Sequence, residues 1–515
     1  MRASDEQFCA KPRHGDAGWP FRHRRCPGAG SAGPKRGYQQ SLQQPDPSRQ
    51  PQQSPGYPAQ HAAGAQHRAC ASPTYTGKRR DPQRLPNPAA ATQPDYPEQS
   101  EHDSQTPLTH PRSSRGLFSM HKETPMFRKT LIAAMCATAM SCLPLTASAA
   151  DEAVKQYKSE LGTVSVSEVA GGLDHPWALA FLPDKKGILV TERSGNLRVV
   201  SPDGKLSGPI SGVPQVWAKG QGGLLDVVLS PDFAKDRLVY LTYSEGSGKT
   251  AAEGETAGTA AGRGRLSADL SKLEDFTVIF RQQPKLSVGN HFGSRMVFDR
   301  DGYLFIALGE NNDRATSQDL DKLQGKVVRI YPDGNVPKDN PFVGQNNVRP
   351  EIWSYGHRNQ QGAALNPWSG TVWTNEHGPK GGDELNIIER AQNYGWPLAT
   401  HGINYSGQPI PEAKGKFVEG TKVPFHVWEK SPGVSGMAFY SDGPFKAWDH
   451  NVFIGALATE ELIRLQFEGD RIVHEERFLS DMKQRIRDVR QGPDGYLYLL
   501  TDDDKGKLLK VGLQQ

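Results

Sequence analysis

Five short clusters hold the residue types and spacing that do chemistry. In Gly289-Asn290-His291-Phe292-Gly293 an imidazole stands between glycines that let a ligand approach closely. Such a histidine acts as a general base near neutral pH or serves as a structural hydrogen-bonder. Tyr355-Gly356-His357-Arg358-Asn359 and Arg485-Ile486-Arg487-Asp488 supply three arginines. Guanidinium groups gathered in one place repel unless an anion balances them, so this set points to a small polyanionic ligand. Gly220-Gln221-Gly222-Gly223 adds an amide side chain in a similar glycine frame. The fifth, Asn375-Glu376-His377-Gly378-Pro379-Lys380-Gly381-Gly382-Asp383-Glu384, mixes carboxylates with exposed backbone. Oxygen donors of that kind suit a hard cation such as calcium, and turn capping accounts for Asp383 and Glu384 equally well.

These clusters need a scaffold that brings distant segments together. From residue 160 onward, short apolar runs alternate with Gly, Pro, Asp and Asn, an all-β pattern. Within it, an apolar strand, a Pro-Asp or Asp-Gly turn and a second, more continuous strand recur six times, with anchors at Leu182, Leu229, Phe298, Leu365, Phe439 and Val489. A repeat of this size with about four strands per unit marks a β-propeller, whose sheets must pack on neighbours and close into a ring. The expected fold is therefore an all-β, six-bladed β-propeller; a pair of open β-sheets is the alternative, but it does not require the turn motif to recur. In a propeller the five clusters fall beside strand ends, where loops converge on a central channel.

Two other motifs carry nothing. Gly28-Ala29-Gly30-Ser31-Ala32-Gly33 fits a dinucleotide-binding pattern but has no strand before it and Pro34 after it. Gly246-Ser247-Gly248-Lys249-Thr250 resembles the end of a phosphate loop, yet Tyr243 replaces the first glycine, so it reads as a flexible insertion between strands. No GxSxG or HExxH signature is present.

Composition divides the chain. Of 39 prolines, 17 fall in the first 120 residues, which are rich in Gln, Ser, His and Arg and read as a disordered leader or a mis-assigned upstream extension (1–119). Residues 120–149 follow as a signal peptide: Arg128 and Lys129 precede an apolar run, and Ala147-Ser148-Ala149 offers a cleavage site. The propeller then spans 150–515. All five cysteines lie before that site, so the mature chain has none to pair wrongly in an oxidising, periplasmic or extracellular compartment. The 61 basic and 57 acidic residues split into 19 and 10 up to residue 150, leaving 42 and 47 in the body. A body at −5 argues against nucleic acid. The apolar run near residue 131 is too short for stable membrane insertion, which takes about 20 residues.

Taken together, residues 160–515 resemble the soluble aldose sugar dehydrogenases, relatives of soluble glucose dehydrogenase. That family uses pyrroloquinoline quinone (PQQ), a tricarboxylate, together with calcium, and the resemblance implies the following roles. His291 takes the proton of the sugar's anomeric hydroxyl while hydride passes from that carbon to the quinone. Arg358 and Asn359 contact the quinone, with Arg358 stabilising charge on its oxygens. Arg485 and Arg487 bind it, and Gln221 lines the sugar pocket beside Asn290. Gly378 and Pro379 offer carbonyls to the calcium that polarises the quinone, and Asp383, Glu384 and Tyr394 match a second calcium site. Trp428 corresponds to an aromatic wall of the sugar pocket.

Two positions depart from glucose dehydrogenase: Asn290 replaces an aspartate beside the base, and Ala458 replaces a quinone-binding lysine. A loose pocket accepting many aldoses follows. The expected product is a lactone, the expected partners are an aldose and an external electron acceptor, and the expected assembly is a monomer or homodimer. A non-catalytic propeller binding a glycan or protein, and a calcium-dependent lactonase, are the competing functions.

Overall fold

The structure is a computed structural model that describes residues 154–514 apart from Val288. The expected leader (1–119), the signal peptide (120–149) and every cysteine lie outside the described residues. The described chain forms six antiparallel sheets arranged as a six-bladed β-propeller. The innermost strands are, in order, Pro176–Phe181, Leu224–Leu229, Gly293–Phe298, Gln360–Leu365, Val434–Tyr440 and Ile486–Gln491, and they define blades 1 to 6. Each of the six recurring sequence units folds as the innermost hairpin of one blade. The turns explain the recurrence: in blade 3, the Asp299 carboxylate accepts the N–H groups of Asp301 at 3.0 Å and Tyr303 at 2.9 Å, reversing the chain locally.

Strand number departs from four per unit at two places. Blade 1 has three strands among the described residues. The segment that would supply its fourth carries Pro209 and Pro214, which lack the N–H a ladder requires. Blade 6 has five: its last three strands are joined by Gly162–Leu173 and Lys155–Ser159 from the other end of the chain. That pairing ties the two ends of the propeller together and closes the ring. Of the segment 246–250, expected between strands, Gly246 closes the strand Leu238–Gly246 and residues 247–250 lie in its connection to Ala257–Leu266. Among the described residues no helix is long and apolar enough to cross a membrane.

Six apolar clusters hold the ring, one at each blade junction. Leu189, Leu197, Val239 and Leu241 pack between blades 1 and 2, for example, and Trp373, Leu385, Ile454 and Ile463 between blades 4 and 5. The channel side is built differently. Every innermost strand carries a bulge near its start, after Pro176, Leu224, Gly293, Gln360, Val434 and Ile486. A bulge removes residues from the ladder and re-aims their side chains. The residues so released are Trp177, Leu225 and Asp226, Ser294 and Arg295, Gln361, Ser435 and Gly436, and Arg487. Backbone groups freed by the bulges find partners on the neighbouring blade. The Thr191 hydroxyl donates to the Leu225 carbonyl at 2.6 Å, that of Thr242 to Ser294 at 2.7 Å, and that of Ser435 to Ile486 at 2.6 Å.

Candidate active site

Four of the bulge residues, Trp177, Leu225, Gln361 and Arg487, line a cavity of about 350 Å³ at one end of the channel. Loops from several blades complete it with Gln221, Asn290, His291, Asn359, Arg358 and Arg485. The structure thus brings together most of the residues singled out for chemistry, from positions separated by more than 250 residues in the chain.

His291 is the best placed to move a proton. It precedes the innermost strand of blade 3 with φ 52°, a conformation uncommon for a non-glycine residue. Its backbone N–H donates to Gln221 Oε1 at 2.9 Å, and Gly309 passes so close to the His291 carbonyl that a Cβ there would lie 1.8 Å from it. The ring is fixed by Glu310, whose buried carboxylate lies 2.9 and 3.0 Å from Nδ1. This partner places the proton on Nδ1 and leaves the Nε2 lone pair for chemistry. Burial lowers the imidazole's pKa, Glu310 pulls it up and the nearby Arg358 pushes it down; the net shift is downward. His291 is therefore a neutral base at neutral pH. A second cavity imidazole, His377, is held at about 3 by burial and Arg358, and its Nε2–H donates to the Val434 carbonyl at 2.6 Å.

Four guanidinium groups border the cavity: Arg193, Arg358, Arg485 and Arg487. Asp502 bonds both Arg485 and Arg487 at 2.9 Å. Although burial works against its charge, those arginines and His175 hold it well below the usual carboxylate range. Part of the balancing anion required by the arginines is thus internal. Open donors remain all the same. Arg358 Nη1 donates to the His377 carbonyl at 3.1 Å and Arg487 Nη1 to Gln361 Oε1 at 3.0 Å, while the Nε atoms of both are buried without a hydrogen-bond partner. Asn359, buried, accepts from the Gly293 N–H and from Gln361 Nε2, both at 3.1 Å.

Other expected positions sit elsewhere. Trp428, expected as a wall of the sugar pocket, belongs to the outermost strand of blade 4, packs into the junction with blade 5 and donates to Glu475 at 2.9 Å. It does not border the cavity. Asp383, expected as a cation ligand or a turn cap, staples a loop in this structure: one oxygen accepts the Gly378 N–H at 2.9 Å, the other those of Gly433 and Val434 at 2.8 and 3.1 Å. The Tyr394 hydroxyl is likewise engaged, accepting from Glu389 N–H and donating to the Ile387 carbonyl, and its ring stacks on His357. Pro379 packs against the Gly402 backbone, and Ala458 bonds the Pro432 carbonyl outside the cavity lining.

Glu384 and Gly378 do meet, around a small void that Arg358 and Glu376 also border. Burial, reinforced by Glu376, raises Glu384 well above the ordinary carboxyl value. A carboxyl so placed takes up a proton or a cation. Among the described residues, no group of three or more His, Cys, Asp or Glu is positioned to hold a metal ion through side chains alone.

Sequence reasoning did not single out Glu310, Asp502, Arg193 or Tyr405, the last at the cavity edge. Glu310 stands in a Gly-Glu-Asn-Asn turn and Asp502 in a run of three aspartates, so both read as turn residues. Only their partners, 19 and 15 residues away, reveal the role.

The family model for Glucose / Sorbosone dehydrogenase, a class that this six-bladed propeller with its arginine-lined cavity fits, matches residues 173–510; the chain belongs to that family. It is 60% identical over 349 residues to the aldose sugar dehydrogenase YliI of Escherichia coli, covering 68% of this chain and 93% of that protein. Among solved structures, the apo form of the soluble aldose sugar dehydrogenase of Escherichia coli superposes with a TM-score of 0.66, covering 68% of this chain and all of that one. The PQQ-bound aldose sugar dehydrogenase of Streptomyces coelicolor, 31% identical, superposes with a TM-score of 0.55 over 68% of this chain and 98% of its own.

Proposed function

We propose that this chain is a periplasmic or secreted, PQQ-dependent aldose sugar dehydrogenase that oxidises aldoses at C1 to lactones and passes the electrons to an external acceptor. The observation that carries the reading is a neutral, carboxylate-oriented His291 in a cavity bordered by four arginines. Two of those arginines keep a buried Nε without a partner. Unpaired buried donors are costly, and a polycarboxylate satisfies them. The residues present therefore fit the quinone: Arg358, Arg485, Arg487 and Asn359 would hold it. When bound, it supplies the acceptor for the hydride leaving the sugar.

The chain's own residues do the rest. Nε2 of His291 accepts the proton of the anomeric hydroxyl, and the Glu310 carboxylate stabilises the imidazolium that forms. This supplies the negative charge beside the base that Asn290 lacks, so the missing aspartate does not leave His291 untuned. Gln221 acts on the base by anchoring the His291 backbone rather than by bonding a substrate group in this state. Trp177 and Asn290 offer one apolar and one polar surface to a sugar. Calcium enters the same proposal at Glu384 and the Gly378 carbonyl, where a cation would replace the proton that Glu384 otherwise takes.

The test is to add PQQ and calcium to the apo protein and follow reduction of an electron-accepting dye with a panel of aldoses. Sugar-dependent reduction that requires PQQ supports the reading. No reduction with any aldose overturns it in favour of a binding propeller, and lactone hydrolysis without quinone would point to a lactonase.

A further inference from the structure

Inward of the cavity, the channel holds a second set of buried charges that the proposed reaction does not use. Arg295 and Arg490 meet Asp226 and Asp488, drawn from blades 2, 3 and 6. Arg295 pairs with Asp488 at 2.9 Å and Asp226 at 3.4 Å, and Arg490 pairs with each aspartate at 3.1 Å. Arg295 does more than balance charge. Its Nε donates to the Gln361 carbonyl at 2.7 Å and its Nη2 to the Arg487 carbonyl at 3.2 Å, while its guanidinium lies 4.0 Å from the centre of the Trp177 ring. One side chain therefore touches bulge residues of blades 1, 2, 4 and 6 from its place in blade 3. Blade 5 yields space instead: at Gly436 a Cβ would lie 2.2 Å from Asp488 Oδ1.

The fold does not need these charges to fill the channel. Its six junctions are sealed by apolar clusters, and one step further along the axis the channel is lined by Leu179, Val227, Val297 and Ala363. Buried ion pairs are weak sources of stability, and well-packed apolar groups often replace them without loss. What an apolar plug could not supply is a set of directed bonds to the backbone beneath Gln361 and Arg487 and a cation under Trp177.

We propose that Arg295 is a positioning residue for the cofactor cavity, its guanidinium setting the spacing of Trp177, Gln361 and Arg487 across the channel. The inference rests on the quinone reading above. Gln361 passes the effect on, since it accepts from Arg487 and donates to Asn359. Arg490, whose side chain among the described residues bonds only the two carboxylates, lacks these links.

The test measures PQQ binding by quenching of tryptophan fluorescence, beside the urea midpoint and the KM for an aldose. Arg295→Lys keeps the charge but cannot span two carbonyls and two carboxylates. The double variant R295M/D226N keeps the cluster neutral, so a readable protein remains if the lysine variant does not fold. Displacement of binding groups by a fraction of an ångström weakens Kd for PQQ by about tenfold or more in whichever Arg295 variant folds. Arg490→Lys lowers the urea midpoint and leaves Kd within about twofold of wild type, since it removes no link to the cavity. A folded Arg295 variant that binds PQQ as tightly as wild type would overturn the inference. Failure of wild type itself to bind PQQ would instead sink the quinone reading.

Discussion

Two groups of arginine, each partly buried, lie along one axis, and they are built to opposite ends. In the inner group, two arginines face two aspartates at 2.9–3.4 Å, a neutral set with its charge consumed internally. In the outer group, four arginines border the cavity, and the carboxylates that touch this lining include Asp502 on Arg485 and Arg487, Glu310 on His291 and Glu376 on the Arg358 N–H. The inner group is framework; the outer group carries surplus positive charge and unpaired donors. An excess of buried charge over its partners marks a place where a ligand completes the structure, because an uncompensated buried ion is costly. Identical residue types thus mean different things according to whether the protein itself balances them.

The sharpest way to break this contrast is to remove the base. His291→Ala should retain PQQ binding and lose turnover by at least about 100-fold, the usual contribution of a positioned base; stopped-flow dye reduction at saturating PQQ measures it. Next comes a matched pair of arginines. Arg487→Met should weaken PQQ binding by about tenfold to 100-fold, since hydrogen bonds to charged groups contribute about 1.5–3 kcal/mol. Arg490→Met should cost folding stability in urea and spare affinity. Equal effects on affinity would erase the distinction between the groups.

A smaller effect is expected at Glu310. Burial holds His291 below its ordinary 6.5, so the acid limb of kcat/KM should fall below pH 6.5. The Glu310 carboxylate raises the imidazole's pKa, so Glu310→Gln should move that limb to still lower pH and reduce kcat by about tenfold, as expected when a base loses its orienting anion. A pH–rate profile of both proteins reads the sign; a shift to higher pH would mean Glu310 does not tune the base. The smallest effect falls on Trp428→Phe. Loss of its bond to Glu475 should cost about 1 kcal/mol of stability in urea. The KM for aldoses should stay unchanged, in contrast to what a wall of the sugar pocket would give.

Much of this architecture is legible in the order of the amino acids. The six inner hairpins announce themselves because Pro-Asp and Asp-Gly turns are local, and a local turn between two apolar runs needs no knowledge of the rest of the chain. His291, Arg358, Asn359, Arg485 and Arg487 stand out because glycines or closely spaced like charges flag them. What stays hidden depends on long-range pairing. Glu310 and Asp502 gain meaning only beside His291 and the two arginines. The pocket-wall role of Trp428 follows a family likeness that its burial between blades 4 and 5 does not share. Asp383 keeps two legible roles, ligand or loop cap, and only long-range contacts, with Gly433 and Val434 some 50 residues on, reveal the capping one. Arg295 gives no local signal at all, because the bulge that turns it inward is set by pairing with a strand ten residues on.

The most direct test is a crystal structure of the protein soaked with PQQ. The account predicts the quinone in the outer cavity, its carboxylates bonded to Arg358 and Arg487 and its ring facing Nε2 of His291. An empty cavity at saturating PQQ, or a quinone bound away from these groups, would contradict it.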